Sequence, residues 1–270
     1  MSKKIRILLL GVFSGIIILS LSYILKVMWL DGKKANDSFY EIQEIHENMI
    51  TESKFLEFKK INPEIIGWIS INNTNINYPV LYCENDTKYY LEHNYKGETS
   101  RYGSIVVSSL CNKDLSSLNT IVHGHHMKDG QMFANLKKFA DIEFYKQNAI
   151  ISFENEDGIS KWKIFSFFKT NTLPEHGPLF NYCRSAFVSE KDFLEFISDL
   201  KKRSWYDVPL EVNANDKLMT LSTCSYEYKG FRTVLVARKM RQNEPENEGI
   251  DQAKKAANPV MPEVYSKKNN

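Results

Sequence analysis

The chain has 270 residues and a mass of 31.4 kDa, with 35 Lys+Arg against 33 Asp+Glu. At 43% hydrophobic and 25% charged it can bury a core, which excludes wholesale disorder, and a formal net charge of +2 gives no reason to expect a nucleic-acid binder. Four cysteines are too few for a disulfide scaffold.

The mean hydropathy of -0.39 conceals an uneven distribution. From Ile7 to Leu25 there are 19 residues without a charge, preceded by Lys3, Lys4 and Arg6. As a helix this run reaches about 28 Å, close to the thickness of a bilayer's hydrocarbon core. A cleaved signal peptide needs a shorter apolar run and a small-x-small site. The one candidate, Ser20-Leu21-Ser22, is followed at once by Tyr23, Ile24 and Leu25. The reading is therefore a short basic tail at 1–6 and an uncleaved transmembrane anchor at 7–30. Lys26, Lys33 and Lys34 follow the span, so the positive-inside count is near a tie and orientation stays open.

Residues 31–60 read as an N-terminal helical region. A polar N-cap at Asn36 or Asp37 precedes a 3.6-type pattern through Phe39, Ile42, Ile45, Met49, Phe55 and Phe58, ending near Asn62-Pro63. Short β-like runs follow at 67–71, 76–81, 104–108, 120–122, 149–153 and 162–168, with a hairpin turn expected at Glu156-Asp157-Gly158. A second helix begins after Ser189, whose spacing to Asp192 approximates a capping box, and Phe193, Leu194, Phe196, Ile197 and Leu200 give it an apolar face. Two last strands run from about Lys217 to Cys224 and from Phe231 to Lys239. Many short strands with occasional helices predict a mostly β chain closed, or nearly closed, into a barrel over 61–240. Residues 241–270, polar and carrying Pro245, Pro259 and Pro262, read as a disordered tail.

The densest chemical cluster is His123-Gly124-His125-His126, half of the six histidines within four positions. Three readings compete: histidines without chemistry, a metal site, or a catalytic imidazole at a strand end. The metal reading is weak, because Met127 and Lys128 stand where the nearest metal-hydrolase pattern needs Asp and His, and no Cys-x-x-Cys or His-Glu-x-x-His occurs. The catalytic reading needs a nucleophile, and Cys224 in Thr220-Leu221-Ser222-Thr223-Cys224 is the candidate. Strand alternation puts Thr220, Ser222 and Cys224 on one face, with the thiol last, before a charged turn. If the two last strands form an antiparallel hairpin, Cys224 can pair with Arg232, with Cβ atoms about 4.5–5.5 Å apart on one face. Arg238 has the same parity but lies about 20 Å further on. The competing reading for Arg232 is a surface ion pair with Glu227. Cys83, Cys111 and Cys183 show no metal spacing and read as structural, and Cys224 is expected to be unpaired.

With these residues in place, the sequence resembles a class B sortase over roughly Ile61 to Met240. The matching motifs are Thr220-Leu221-Ser222-Thr223-Cys224, Gly124-His125-His126-Met127, 128–133, 61–68, 76–80 and the arginine at 232; His123 stands where the family usually has Tyr. The resemblance implies an eight-stranded sortase-type β-barrel with N-terminal helices and a helix between the sixth and seventh strands. It also implies a membrane-anchored cysteine transpeptidase that needs no cofactor and no metal. In such an enzyme Cys224 forms a thioacyl-enzyme on a sorting motif of a secreted protein. His125 acts as acid and base, Arg232 serves the oxyanion, and an amine of cell-wall peptidoglycan or its lipid-linked precursor resolves the acyl group. The same resemblance would put the domain outside the cell. Leu91, Tyr182 and Thr223 are candidate peptide contacts, each with core packing as the competing reading, and His123 and His126 read as supporting. Two alternatives share these residues: a thiol peptidase that only hydrolyses, and an anchored binding protein on the same scaffold. The segment 172–182 looks longer than usual and leaves the sorting motif open.

Overall fold

A computed structural model describes residues 3–49 and 51–267. By its internal contacts the chain divides into two compact units, Met1–Glu44 and Ile45–Asn270. The first unit is formed by most of α1 (Lys3–Asn48), whose apolar stretch leaves Ile7, Leu8, Phe13, Ile17 and Leu25 exposed. It is long and apolar enough to cross a membrane. Ser14, a polar residue inside that stretch, donates back to the Gly11 carbonyl at 2.9 Å. The helix runs straight through Asn36 and Asp37, so neither is an N-cap: a polar residue caps only where the backbone leaves the helix, and no proline breaks the chain before Pro63. Met1 and Ser2 of the expected basic tail lie outside the described residues.

In the second unit α2 (Thr51–Ile61) ends just before Asn62-Pro63. Then come β1 (Ile65–Ile71), β2 (Asn77–Tyr82), α3 (Thr87–Glu92), β3 (Ile105–Val107) and β4 (Asn119–His123). A 3-10 helix, Phe133–Ala140, and α4 (Ile142–Asn148) lead to β5 (Ile150–Asn155) and β6 (Gly158–Asn171), paired in a hairpin that places Asn155 opposite Gly158. A 3-10 turn at Pro174–His176 precedes α5 (Glu190–Arg203), β7 (Tyr206–Asp207), β8 (Leu218–Ser225), β9 (Phe231–Lys239), β10 (Lys254–Lys255) and α6 (Glu263–Lys267). Eight strands close a barrel in the order β1-β2-β3-β4-β8-β9-β6-β5. The pairs β2–β3 and β4–β8 are parallel and the others antiparallel, so the barrel is mixed.

The expected helix between the sixth and seventh barrel strands is α5. Ser189 accepts from the Asp192 backbone amide at 3.2 Å, which fixes its start. Its buried Phe193, Phe196, Ile197 and Leu200 cluster with Phe168, Leu218, Val234 and Val236 of β6, β8 and β9. Each such side chain stabilises by about 1.5–3 kcal/mol when fully buried. The cluster covers one face of the β8–β9 hairpin and leaves out its far end, Cys224 and Arg232.

The tail departs from expectation, because residues 241–267 fold against the barrel. The cause is a pair of buried cations. Lys163 of β6 and Arg238 of β9 are direct cross-strand partners, 0% and 1% exposed. Two like charges facing each other in a dry wall are untenable alone. Glu244 answers both, reaching Arg238 Nη1 at 2.8 Å, Arg238 Nη2 at 2.5 Å and Lys163 Nζ at 2.6 Å. Lys163 also donates to the carbonyls of Pro245 and Glu248. Beyond this anchor Ile250 and Ala253 are buried and β10 pairs with β7.

Burial alone would raise the Glu244 carboxyl, but the hydrogen bonds from Arg238 and Lys163 outweigh it and hold the group down at about 2. Its contribution to stability is therefore present above the ordinary carboxylate range and is lost as pH falls from there toward about 2. Glu244→Ala leaves two buried cations uncompensated and should destabilise the barrel by about 3–5 kcal/mol, read from the urea midpoint at pH 7. A loss under about 1 kcal/mol would count against Glu244 as the counter-ion.

Candidate active site

The site is built on three neighbouring strand ends. In the β8–β9 hairpin Cys224 lies directly opposite Arg232, the register expected from the loop length. On its other edge β8 runs parallel to β4, with Thr220 beside Ile121 and Ser222 beside His123. The Gly124 amide then donates to the Ser222 carbonyl at 3.3 Å. β4 ends at His123, and His125 lies two residues beyond it, between Gly124 and His126, which contact the end of β8 at Thr223 and Cys224.

Cys224 is half-buried and carries a free thiol, as do Cys83, Cys111 and Cys183. Burial pushes the Cys111 thiol up to about 11 and raises Cys183, which keeps both protonated. Below Cys224 the same strand face is tied down by side-chain hydrogen bonds. Ser222 Oγ pairs with the Tyr182 hydroxyl at 2.8 Å, and Thr220 Oγ1 donates to Asn119 Oδ1 at 2.8 Å. The Asn119 amide group in turn donates to the Arg184 carbonyl at 2.9 Å, linking β4 to the segment that enters α5.

Each of the three clustered histidines has a separate environment. His125 Nε2 donates to the Leu91 carbonyl at 2.7 Å. That carbonyl belongs to the last turn of α3, where Ser104 and Ser100 amides serve the neighbouring carbonyls of Tyr90 and Glu92. A carbonyl only accepts, so the proton of this contact sits on Nε2. Gly124, just before His125, packs tightly against two core side chains: a Cβ there would stand 2.5 Å from Ile105 Cδ1 and 2.9 Å from Phe133 Cδ2. His126 Nδ1 donates to the Cys224 carbonyl at 2.9 Å, and burial holds that imidazole below its ordinary range, hence neutral. The Tyr226 hydroxyl donates to the His126 carbonyl at 2.8 Å. His123 shares the strand face of Ser222 and Cys224; burial, and then the Arg232 charge, lower it to about 4. Among the described residues no group of three His, Cys, Asp or Glu side chains could hold a metal ion.

Arg232 donates to the carbonyl of its neighbour Phe231 at 3.1 Å. The competing surface pair with Glu227 does not form, because Glu227 pairs with Lys169 and accepts from Ser225. The candidate peptide contacts divide. Tyr182 lies against Ser222, on the thiol's face, and the Leu91 carbonyl holds His125. Thr223 is the exception: alternation turns it to the opposite face, it is buried, and its hydroxyl donates to the Gly124 carbonyl at 2.7 Å. It supports the turn into His125. The sequence reading missed Asn119 and the helix-end carbonyl of Leu91 as site supports. Both depend on contacts across distant stretches of chain, and no local pattern marks them.

A family profile described as "Sortase domain" matches residues 69–240. Sortase B of Listeria monocytogenes is 36% identical over 183 residues, spanning 66% of this chain and 71% of that protein. Sortase B of Staphylococcus aureus is 30% identical over 233 residues, spanning 83% and 92%. Among solved structures, a Staphylococcus aureus sortase B–substrate complex superposes with a TM-score of 0.71 at 30% identity, covering 79% of this chain and 100% of that one.

Because the folded chain holds His123 near 4 and an unfolded chain near 6.5, the unfolded state binds the extra proton between these values. The share of stability due to a neutral His123 is thus complete above about 6.5 and is lost as pH falls toward 4. His123→Gln should remove that share, so the urea midpoints of the two proteins should diverge or converge between pH 7 and pH 4.5. A gap that stays constant across this range would show that His123 does not titrate as described.

Proposed function

The chain belongs to the sortase family and to its class B group, which are cysteine transpeptidases, and on that premise we propose that it joins secreted proteins to the cell wall through Cys224, His125 and Arg232. The observation that carries the assignment of residues is the pairing of Cys224 with Arg232, beside the segment that follows β4 and carries His125.

The Cys224 thiolate attacks a backbone carbonyl within the sorting motif and forms a tetrahedral oxyanion. The Arg232 guanidinium, permanently charged and multidentate, stabilises that oxyanion or holds the peptide backbone. The C–N bond then breaks and His125 protonates the departing amine, leaving a thioester on Cys224. An amine of peptidoglycan or its lipid-linked precursor gives a proton to His125 and attacks the thioester; the thiolate leaves and a new amide forms. With Nε2 donating to Leu91, Nδ1 is the imidazole nitrogen left for this proton traffic. Tyr182 and Leu91 border the peptide path, and Thr223 acts behind it.

Residues 7–30 anchor the enzyme as a single membrane span, and the barrel over 61–240 works on the outer side, where exported substrate and wall precursor meet. Among the described residues one helix, Lys3–Asn48, has the length and hydropathy to span a membrane, which supports the anchor. Cys224→Ala should abolish cleavage of sorting-motif peptides while leaving the thermal midpoint within a few degrees. Arg232→Lys keeps the charge and loses the fork, and should lower kcat/KM by roughly 10²-fold to 10³-fold. Adding an amine acceptor should give an amide product. Free acid alone would identify a hydrolase, and cleavage retained by Cys224→Ala would sink the assignment.

A further inference from the structure

The chain after residue 240 lies beyond the matched domain, yet its Tyr265 packs beside the proposed catalytic hairpin. We propose that the segment 256–265 is a strap that positions Arg232, with Tyr265 as its working residue. This rests on the assignment of Cys224, His125 and Arg232 above.

The strap is tied along its course. The Ala256 amide donates to the Trp205 carbonyl and the Val260 amide to the Lys202 carbonyl, both at 2.9 Å. It then meets the segment after β6. Gly177, at φ +113, admits Glu263 so closely that a Cβ there would lie 2.9 Å from Glu263 Cγ and 3.1 Å from its backbone nitrogen. Two residues on, the Tyr265 ring packs edge-on against Tyr228 at 5.8 Å and Phe231 at 5.7 Å between centroids. His176 completes the group, 5.4 Å from Phe231 and 5.9 Å from Tyr228. Among the described residues the Tyr265 hydroxyl has no hydrogen-bond partner, so what this side chain contributes is its ring.

Phe231 transmits the contact. It is fully buried, opens β9, pairs with Ser225 and Asn171, and its carbonyl accepts from Arg232 Nη1 at 3.1 Å. Tyr228 lies within the loop that joins Cys224 to Arg232. That loop is also tied on the β6 side, where Glu227 pairs with Lys169 and the Gly230 carbonyl accepts from the Thr172 amide at 2.9 Å and its hydroxyl at 2.7 Å. Hydrogen bonds to Thr172 fix the loop's backbone; the Tyr265 ring fixes the side-chain wall on which the guanidinium's partner stands. An oxyanion donor works only when its geometry is held in advance, so loosening this wall slows the chemical step without removing a substrate contact.

The test is a double-mutant cycle on the full chain in detergent micelles, with a sorting-motif peptide as the probe and Cys224→Ala as control. Tyr265→Ala should lower kcat about tenfold with KM held within about twofold, and Tyr265→Phe should restore wild-type kcat. In an Arg232→Lys background, Tyr265→Ala should cost less than about twofold, because the group it positions is already altered. A full-rate Tyr265→Ala enzyme, or an equal loss in both backgrounds, would overturn the proposal: the first shows no influence, the second a general structural role. Cleavage by Cys224→Ala would instead overturn the catalytic assignment on which it stands.

Discussion

Strand β8 must satisfy hydrogen-bonding edges on both sides, and the site depends on that requirement. In a closed barrel no strand has a free edge, so β8 takes β9 antiparallel on one side and β4 parallel on the other. The antiparallel partner brings back the next stretch of chain, which sets Arg232 opposite Cys224. The parallel partner brings a strand almost a hundred residues earlier and running the same way; it stops at His123, opposite Ser222, and the chain beyond it continues beside the end of β8. Backbone pairing thus fixes Cys224 and Arg232 on one rim, and the Leu91 carbonyl holds the ring of His125, just beyond β4. A slip of one residue on either edge would turn one partner to the opposite face, as the position of Thr223 beside Cys224 illustrates.

The outer layer secures that rim in two ways. Helix α5 covers the apolar part of the β8–β9 face through Phe193, Phe196, Ile197 and Leu200, and its cover stops short of Cys224 and Arg232. The C-terminal chain supplies what apolar packing cannot, a carboxylate for Lys163 and Arg238 facing each other inside the barrel wall. A buried pair of like charges ties the barrel to a segment outside its own sheet, and that segment is then carried on toward the proposed catalytic loop.

How much could be read from sequence follows the span of the interactions. The Cys224–Arg232 register was legible because a hairpin is local: loop length and strand parity determine it. The start of α5 was legible because Ser189 and Asp192 are three residues apart on one turn. The barrel as a class was legible from many short strands. The parallel β4–β8 pairing was not, since no composition rule links residues 119–123 to 218–222. Residues 241–267 were misread for a related reason. Their polarity and prolines are those of a disordered tail, and the buried cations that hold Glu244 stand some eighty residues upstream and on the preceding strand. The supposed helix start at Asn36 failed in the opposite direction, a local polar signal overridden by unbroken helix on both sides.

The electrostatics of the rim follow a different logic from the rest of the molecule. Arg238, Arg241, Lys163 and Lys54 each have carboxylate partners. Among the described residues Arg232 has no such partner, although Glu227 lies in the loop beside it. Lys169 and Ser225 engage that carboxylate instead, and Lys169 in turn sits 5.6 Å over the Trp205 ring. On the other flank, a neutral His123 adds no second positive charge to compete for an incoming anion. A guanidinium that was already paired would have to break that pair before meeting a developing oxyanion, and the reorganisation would fall in the transition state. Diverting Glu227 to Lys169 removes that cost in advance. The lysine, which takes no part in the proposed chemistry, thereby helps to keep the proposed catalytic cation available.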